Sequence, residues 1–383
     1  MDFSLSDEQR LIQDGLRRLL QKNYGFEQRT GFIPARGGWS AEMWAHYAEM
    51  GLLALPFAEE HGGLSGTPVE TMIVMEEFGR ALTLEPYLAS VAMAGGVLRH
   101  AGSDMQLGRL AEKVIDGSLV LSLAHEEALA QGDLRRVDTT ARQRGEGWRL
   151  DGEKSFALHG GSADALIVSA RVAGDCDDDN GIGLFYVDAR RDGVTIDDYT
   201  LHDGQHAAAL KFTNVRITHE NVIGEPGNGY PVLTRVHDET IAAVCAEAVG
   251  VMSELHEMTI DYLKQRRQFG VAIGSFQALQ HRAADMYIAL EQARSMAIYA
   301  AMMCTENDPA ARAQAMSAAK YQIGRSGRFI GEQAVQLHGG LAIAAEYRAG
   351  HYFKKLTTLD QFLGDADHHL EALSCGDGLF ANS

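Results

Sequence analysis

Two short stretches carry residue types suited to binding an anion. The sequence RRQFG, residues 266–270, places two arginines at the end of a long helical pattern, and guanidinium groups bind phosphate oxygens through paired hydrogen bonds. The sequence QLHGG, residues 336–340, ends another helical pattern at Gly339 and Gly340, where a ligand can approach the backbone N–H groups closely. Each stretch alone also fits an ordinary helix end. Whether they form a binding site therefore depends on their order and their surroundings along the chain.

A third stretch is notable for lacking acids. From Tyr347 to Leu359 the sequence has no Asp or Glu, although the chain has a net charge of −18. So long an acid-free segment suggests that this region meets an anion, and it raises the question of which residue performs any proton chemistry.

Other catalytic chemistries find little support. The GIG at Gly181 lacks a third glycine and lies in a strand-like run, so it does not indicate a nicotinamide-binding loop. The stretches LHDGQH and DADHHLEAL lack metal-ligand spacing, which leaves no predicted metal site. Four cysteines lie far apart without a CxxC pair and are expected to be reduced.

The bulk composition is that of a globular protein. The chain has 383 residues, of which 46% are apolar and 22% charged, enough for two or three domains. No apolar run has the length of a membrane span, and the first residues lack the features of a signal peptide, so a cytoplasmic protein is expected. The acidic balance, with a pI near 5.2, argues against general binding of nucleic acid or anionic membranes.

The elements that must position these residues fall into three blocks. Helical periodicity covers residues 6 to about 117, short β-rich runs separated by turn residues follow, and helical patterns resume after GEPGNGY. The sequence therefore predicts an α+β protein with an N-terminal helical domain (1–117), a middle β domain (118–223) and a C-terminal helical bundle (224–383). Within the middle block, AGDCDDDNG is expected to form a solvated hairpin tip.

Two long helices are predicted in the last block. Apolar residues three and four apart indicate a helix over Asp238–Gln268, and a second helix is predicted over about Ala310–Leu337. Gly324, Gly327 and Gly331 in the second helix would let a neighbouring helix pack closely.

The chain resembles an acyl-CoA dehydrogenase. The resemblance covers nearly the whole chain in order, through the α, β, α succession and through the segments MGLLALPFAEEHGGLSG, DGEKSFALHGGSADALIVSAR, LKFTNVRI, NVIGEPGNGY, YLKQRRQFGVAIGSFQALQHRAADM and QAVQLHGGLAI. The ending HYFKKLTTLDQFLGDADHHL is similar to that of small subunits of two-subunit bacterial enzymes such as pimeloyl-CoA dehydrogenase.

This resemblance implies the fold and the reaction. Such enzymes have a helical domain, a middle β-sandwich or barrel domain and a C-terminal four-helix bundle, and they bind FAD and an acyl-CoA thioester. They form a trans-2-enoyl-CoA: a carboxylate takes the α-proton, hydrogen bonds stabilise the thioester oxygen and the flavin accepts the β-hydride. Electrons then pass to an electron-transfer flavoprotein.

The resemblance also implies cofactor-binding residues in the helical bundle. Arg266, Gln268 and Phe269 match positions that contact the FAD of a neighbouring subunit, with the arginine at the pyrophosphate. Gln336, Gly339 and Gly340 match the loop that contacts the adenosine part.

In the β domain the match is looser. Phe156 matches an aromatic position near the flavin, and Leu158 matches a position often occupied by a threonine or serine that hydrogen-bonds the ring. A leucine can offer only its backbone. The flavin-binding loop is represented by AHEEALAQGDL, in which Ala124, His125 and Asp133 correspond only roughly.

The catalytic base is not at its usual places. The two positions that hold the base in different members correspond to a site near Thr357 and to Thr240, and neither is an acid. On an ideal helix Glu247 lies about 20° around from Thr240 and about 10.5 Å along it, which makes Glu247 the predicted base. Glu239 is expected to be an exposed residue in the first turn of the Asp238–Gln268 helix, where its charge complements the helix dipole.

Three alternatives therefore remain open for the base: Glu247, Glu239 or another acid, or no base in this subunit. A buried Glu247 paired with an arginine would be structural.

Two functions follow from these alternatives. The chain is a FAD-dependent acyl-CoA dehydrogenase subunit, or it is a non-catalytic scaffold that completes the FAD and acyl-CoA site of a homologous large subunit. The oligomer is expected to be an α2β2 heteromer or a homotetramer. The resemblance to this subfamily favours a dicarboxylyl- or medium-chain acyl-CoA, but related two-subunit enzymes act on steroid side-chain thioesters, so the acyl group stays open among the three.

Overall fold

The computed structural model describes residues 5–35, 37–130 and 132–375. In chain order the α-helices are α1 (Asp7–Asn23), α2 (Phe26–Phe32), α3 (Ala41–Glu49), α4 (Pro68–Ala81), α5 (Gly95–Ala101), α6 (Asp104–Ile115), α7 (Tyr230–Gln265), α8 (Gln277–Met303), α9 (Pro309–His338), α10 (Ala349–Gln361) and α11 (Ala366–Cys375). A π-helix spans Leu88–Ala94, and 3-10 turns span Leu52–Ala54, Glu59–His61, His219–Asn221, Ile273–Ser275 and Gly339–Ile343.

The strands are β1 (Leu121–Ala124), β2 (Thr140–Arg144), β3 (Gly147–Leu158), β4 (Ala165–Arg171), β5 (Ile182–Asp188), β6 (Val194–Thr200), β7 (His206–Thr218), β8 (Val222–Ile223), β9 (Arg267–Gln268) and β10 (Val271–Ala272). The succession of helices, strands and helices confirms the predicted fold class.

The chain divides into two compact units. A helical unit comprises the described residues of Met1–Thr30, Pro68–Thr83 and Ile241–Ser383. A sheet unit comprises those of Gly31–Thr67 and Leu84–Thr240.

The sheet unit is built on eight strands. Their order is β6-β7-β3-β2-β4-β5-β8, and β1 adds to β4 in parallel. Apolar side chains such as Leu150, Val168 and Phe185 form its buried core. The predicted hairpin tip AGDCDDDNG joins the antiparallel strands β4 and β5, and the Arg171 guanidinium donates to the carbonyls of Cys176, Asp178 and Asn180 in this loop.

In the helical unit, α4 and α7 cross at a very short distance. A Cβ added to Gly79 would lie 2.0 Å from the Glu247 carbonyl oxygen, and one added to Gly250 would lie 1.9 Å from that of Glu76. Glycine on each helix therefore permits this crossing.

The long helices begin and end where local signals allow. The capping box at Ser6 and Gln9 starts α1 as predicted. Helix α9 begins at Pro309 after the N-cap Asp308 and ends at His338, within one residue of the prediction at each end.

The predicted bounds of α7 were wrong at both ends. It begins at Tyr230 instead of Asp238, and it ends at Gln265 because Arg267 and Gln268 pair with Val271 and Ala272 in a short antiparallel hairpin.

Candidate functional site

The ends of α7 and α9 lie together in the helical unit. The ring of Tyr262, on the last turn of α7, stacks on His338 at 4.6 Å between centroids, and His338 also contacts Tyr347 at 5.4 Å. His338 belongs to the QLHGG stretch and Tyr262 precedes RRQFG. The two stretches selected from the sequence are thus neighbours in the fold.

The hairpin after α7 presents cationic and aromatic side chains outward. Phe269 at its tip has φ 54° and Gly270 has φ 81°, the left-handed conformations that a tight turn requires. The Phe269 side chain is 91% exposed and contacts Phe276 edge-on. Within the described residues, the exposed guanidinium groups of Arg266 and Arg267 make no hydrogen bond or ion pair.

The glycine corner after α9 is open to approach. Gly339 has φ 61°, and a Cβ added to Gly339 or Gly340 would meet no atom within 4 Å. Gln336, one turn earlier on α9, is exposed. Exposed guanidinium groups, an exposed aromatic ring and approachable backbone fit the phosphate and adenosine parts of a nucleotide such as FAD.

The predicted flavin-ring positions in the sheet unit differ in accessibility. Ala124 and Leu158 are buried, whereas Phe156 is half-buried on β3. The Leu158 carbonyl accepts a hydrogen bond from the Ser122 hydroxyl at 2.7 Å, so that acceptor is already satisfied. Of these three residues, only Phe156 offers a partly exposed side chain.

Two residues before Phe156 on β3, Lys154 is the centre of a buried polar network. Its ammonium group donates to the Glu127 carboxylate at 2.7 Å, to the His125 carbonyl at 3.0 Å and to the Ser169 hydroxyl at 3.0 Å. Burial lowers the pKa of Lys154, against the opposing charge of Glu127.

The remaining members of this network are also satisfied. The Glu127 carboxylate accepts from the backbone N–H groups of Asp138 and Thr139, and its pKa is lowered because Lys154 and these hydrogen bonds outweigh the effect of burial. Burial and Lys154 lower the pKa of His125 to about 3, so this ring is neutral at physiological pH.

The predicted base, Glu247, lies in a buried salt bridge. Its carboxylate oxygen is 2.7 Å from the Lys355 ammonium nitrogen on α10, and the two side chains are only 4% and 2% exposed. The partner is a lysine of the same chain, whereas the sequence suggested an arginine. The pair neutralises the charge of the carboxylate inside the helical unit.

The acid-free segment therefore meets carboxylates of its own chain. Lys355 pairs with Glu247, and the Arg348 guanidinium lies 3.3 Å from the Glu254 carboxylate on α7. Thr357, near the position vacated by the usual base, is exposed and donates to the Phe353 carbonyl.

The interpretation of Glu239 as an exposed first-turn residue was wrong. Helix α7 starts nine residues earlier, at Tyr230, and the Glu239 side chain is half-buried between Arg99, His100 and Arg235. Burial alone would raise its pKa, but the hydrogen bond from His100 and the charges of Arg99, His100 and Arg235 lower it to about 2. A carboxylate so strongly stabilised is a weak proton acceptor.

Sequence reasoning missed the buried lysines. Lys355 lies on the buried stripe of α10 with Tyr352, Leu356 and Leu359, and Lys154 lies at the two-residue spacing of Phe156 and Leu158 on β3. The available signal was the position of each lysine on the inward face of its element. A lysine is almost never fully buried unless it is paired, so such a position predicts a buried partner.

In the described part of the chain, no three or more His, Cys, Asp or Glu side chains are arranged to hold a metal ion. No helix there combines the length and the apolar character needed to cross a membrane.

Comparison with protein families identifies the class. Models of the acyl-CoA dehydrogenase N-terminal, middle and C-terminal domains match residues 6–118, 123–216 and 227–374. The chain belongs to the acyl-CoA dehydrogenase family, whose members are FAD-dependent oxidoreductases.

Individual relatives cover nearly the whole chain. The probable acyl-CoA dehydrogenase YngJ of Bacillus subtilis is 28% identical over 91% of this chain and 92% of its own length. The caffeyl-CoA reductase-Etf complex subunit CarC of Acetobacterium woodii is 28% identical over 89% and 92%. The solved structure of a Tcur3481-Tcur3483 steroid ACAD variant is similar with a TM-score of 0.86 and 27% identity over 97% of this chain and 98% of that one.

Proposed function

We propose that this chain dehydrogenates an acyl-CoA thioester to the trans-2-enoyl-CoA as one subunit of an oligomer. The observation that carries the proposal is that the helical unit holds both the exposed Arg266–Phe269 turn and the open Gly339–Gly340 corner, and that Arg266 makes no hydrogen bond or ion pair with the described residues. Such a surface suits the phosphates and the adenosine of a cofactor that is held by another chain.

Bound FAD would supply the hydride acceptor. In this arrangement Arg266 would bind the pyrophosphate of the FAD on the neighbouring subunit, Gln268 and Phe269 would also contact that FAD, and Gln336, Gly339 and Gly340 would contact its adenosine part. Phe156 would border the flavin ring, and Ala124 and Leu158 would lie near it, with the Leu158 carbonyl engaged by Ser122.

A direct test uses the full chain with any subunit that copurifies with it. We expect a flavin absorbance spectrum and reduction of an artificial electron acceptor on addition of a CoA thioester. Arg266→Met should weaken FAD retention at least tenfold, because one guanidinium–phosphate contact is lost. Arg282→Met, which removes an exposed arginine from α8, should leave retention unchanged. Equal retention by both variants would contradict the phosphate-binding role.

For proton abstraction we propose Glu247. It is a carboxylate on α7, and its oxygen is held 2.7 Å from Lys355. Glu247 would take the α-proton of the substrate, and Lys355 would hold the carboxylate in one orientation.

Glu247→Gln tests this role because it removes the proton acceptor while it keeps the shape. We expect turnover to fall at least a thousandfold with FAD retained. Glu254→Gln, which changes another ion-paired acid on the same helix, is the matched control and should keep most of the activity. Turnover retained by Glu247→Gln would rule out this base.

The burial of the pair favours a second candidate function. A carboxylate that is 4% exposed and already neutralised by Lys355 has the character of a structural acid. In that case the chain is a non-catalytic scaffold that completes the FAD and acyl-CoA site of a homologous large subunit. One FAD per two chains, together with full activity of Glu247→Gln, would support the scaffold, and FAD on every chain would exclude it.

Similar proteins support a proposal for the assembly and the substrate. Likeness to the Tcur3481-Tcur3483 steroid ACAD, which pairs two named proteins, favours a heteromer such as α2β2 over a homotetramer, and a steroid thioester over medium-chain or dicarboxylyl-CoA. Likeness to a subunit of a caffeyl-CoA reductase-Etf complex supports an electron-transfer flavoprotein as the acceptor. Comparing kcat/KM for these three thioester classes tests the substrate assignment. We further propose that the protein acts in the cytoplasm.

A further inference from the structure

The carboxyl group of Glu126 stands apart from the polar network around it. Within the described residues its side chain makes no hydrogen bond and no ion pair, although it is half-buried. The neighbouring cation, Lys154, is fully engaged by three acceptors, including Glu127 at 2.7 Å. Glu126 therefore has no counter-ion of its own among the described residues of the sheet unit.

The backbone directs Glu126 to the side of the sheet that Phe156 occupies. The two residues form an isolated antiparallel bridge, and the Ser155 N–H donates to the Glu126 carbonyl at 2.9 Å. Residues directly opposite each other in an antiparallel pair project their side chains to the same face, with Cβ atoms about 5 Å apart. Glu126 consequently flanks the one predicted flavin-ring residue with a partly exposed side chain.

Burial and its neighbours control the charge on this group. Burial raises the pKa of Glu126, the ammonium group of Lys154 opposes that rise, and the Glu127 carboxylate adds to it. The adjacent His125 has a pKa lowered to about 3 and carries no charge near neutral pH.

We propose that Glu126 lies beside the flavin ring in the assembled enzyme and lowers the reduction potential of the flavin through its negative charge. The inference rests on the proposed function, since it requires FAD against the Phe156 face of the sheet unit. Reduction adds electron density to the flavin, and a nearby carboxylate without its own counter-ion disfavours that change.

The test is a spectroelectrochemical titration of FAD bound to the full chain, purified with any subunit that assembles with it. Glu126→Gln should move the midpoint potential to more positive values. A tenfold gain in the preference for reduced over oxidised flavin corresponds to about 30 mV for this two-electron couple. The difference from the wild type should be larger at about pH 8 than at about pH 5, because Glu126 is more fully ionised at the higher pH.

Two control variants separate a local effect from a change in net charge. Glu126→Asp keeps the charge and should stay close to the wild-type potential. Glu153 lies on β3, the strand of Phe156, and forms an exposed ion pair with Lys211 on β7. Glu153→Gln removes one negative charge there and should not shift the potential.

The outcomes test the role of Glu126 separately from the proposed dehydrogenase function. An unshifted potential in Glu126→Gln, an equal shift in Glu153→Gln, or loss of FAD from Glu126→Gln alone would overturn the role of Glu126 and leave the dehydrogenase assignment standing. A wild-type assembly without FAD would overturn both.

Discussion

The catalytic interpretation depends most on the buried pair of Glu247 and Lys355. Both side chains are almost fully buried, so each group has exchanged water for contact with an oppositely charged group. Taking a charge out of water is costly, and a buried pair offsets this cost only while both partners are present. The pair is therefore expected to matter for stability whether or not Glu247 also takes a proton.

Lys355→Met should destabilise the fold by about 3–5 kcal/mol, because it removes the ammonium group that lies 2.7 Å from the buried Glu247 carboxylate. The double variant Lys355→Met with Glu247→Gln should cost less than the sum of the two single changes. Lys211→Met is the matched control: its pair with Glu153 has the same 2.7 Å separation but is largely exposed, so it should cost less than about 1 kcal/mol. Urea unfolding measures all four, and strict additivity would contradict the coupling.

Glu239 gives a pH-dependent prediction in the sheet unit. Its folded pKa of about 2 lies below the unfolded value of about 4.3, so its stabilisation is present above the unfolded value and is lost as the pH falls toward 2. Glu239→Gln should cost on the order of 3 kcal/mol at neutral pH, and the difference from the wild type should shrink from about pH 5 downward. A difference independent of pH would exclude the contribution of ionisation.

At the scale of elements, close contact between backbones positions the Glu247 segment. Gly79 on α4 faces the Glu247 carbonyl, and Gly250 on α7 faces the Glu76 carbonyl. The crossing is reinforced by a salt bridge at 2.6 Å between Arg294 on α8 and Glu76 on α4. A glycine on each helix thus allows the two backbones to approach closely at this crossing.

Gly79→Ala and Gly250→Ala should each destabilise the fold, although alanine favours a helix over glycine by about 1 kcal/mol. The added methyl group would have to displace backbone, which we expect to cost at least about 2 kcal/mol in total. Gly108→Ala on α6 is the control, since nothing lies within 4 Å of its added Cβ, and it should stabilise slightly. Thermal unfolding distinguishes them, and stabilisation by all three changes would contradict the close crossing.

The loop between α10 and α11 is held by a third buried lysine. The Lys320 ammonium donates to the carbonyls of Asp360 and Gly364, each at 2.7 Å, and His369 contacts the Leu363 carbonyl at 3.0 Å. Leu363 has φ 61°, a conformation that non-glycine residues adopt at an energetic cost. The ammonium group thus satisfies carbonyls at and just beyond the end of α10.

Lys320→Met should loosen this loop before it unfolds the bundle. Hydrogen exchange of the amides from Phe362 to Asp365 should accelerate at least tenfold, because the two carbonyls lose their shared donor. Amides in the middle of α9 should exchange at the wild-type rate. Unchanged exchange in the loop would show that other contacts hold it.

At the scale of the whole molecule, exposed apolar side chains accompany the large negative charge. On the helical unit Phe269, Ile343, Tyr287 and Ile288 are all more than half exposed, whereas the chain carries a net charge of −18. Exposed large apolar side chains on a highly charged protein are candidates for contact with another chain. This agrees with the proposed oligomer.

Ile288→Arg should shift the assembly toward smaller species, because it places a charge on the proposed contact surface. Met105→Arg on α6 is the control: Met105 is 77% exposed but belongs to the sheet unit, whereas Ile288 belongs to the helical unit. Light scattering coupled to size-exclusion chromatography measures the mass of each assembly. Equal masses for both variants and the wild type would argue against an interface at Ile288.

The sequence by itself determined the succession of elements and the location of the two stretches that we propose bind the nucleotide. Capping residues, apolar periodicity and turn residues are local signals, so α1, α9 and the β4–β5 hairpin could be predicted, and RRQFG and QLHGG follow from residue type. The early start of α7 was missed because helical residues before Asp238 carry a weak apolar pattern next to a glycine-proline connection.

Only the tertiary structure decided the partners of the buried charges. Glu247 and Lys355 lie far apart along the chain, and Glu127 and Lys154 are separated by 27 residues, so neither contact has a local signal. Burial then determines what each charge can do: Glu247 is neutralised by a lysine, Glu239 is held by three cationic side chains, and Glu126 is left without a partner in the described residues. Ionisation depends on desolvation and nearby charge, which are properties of the folded chain.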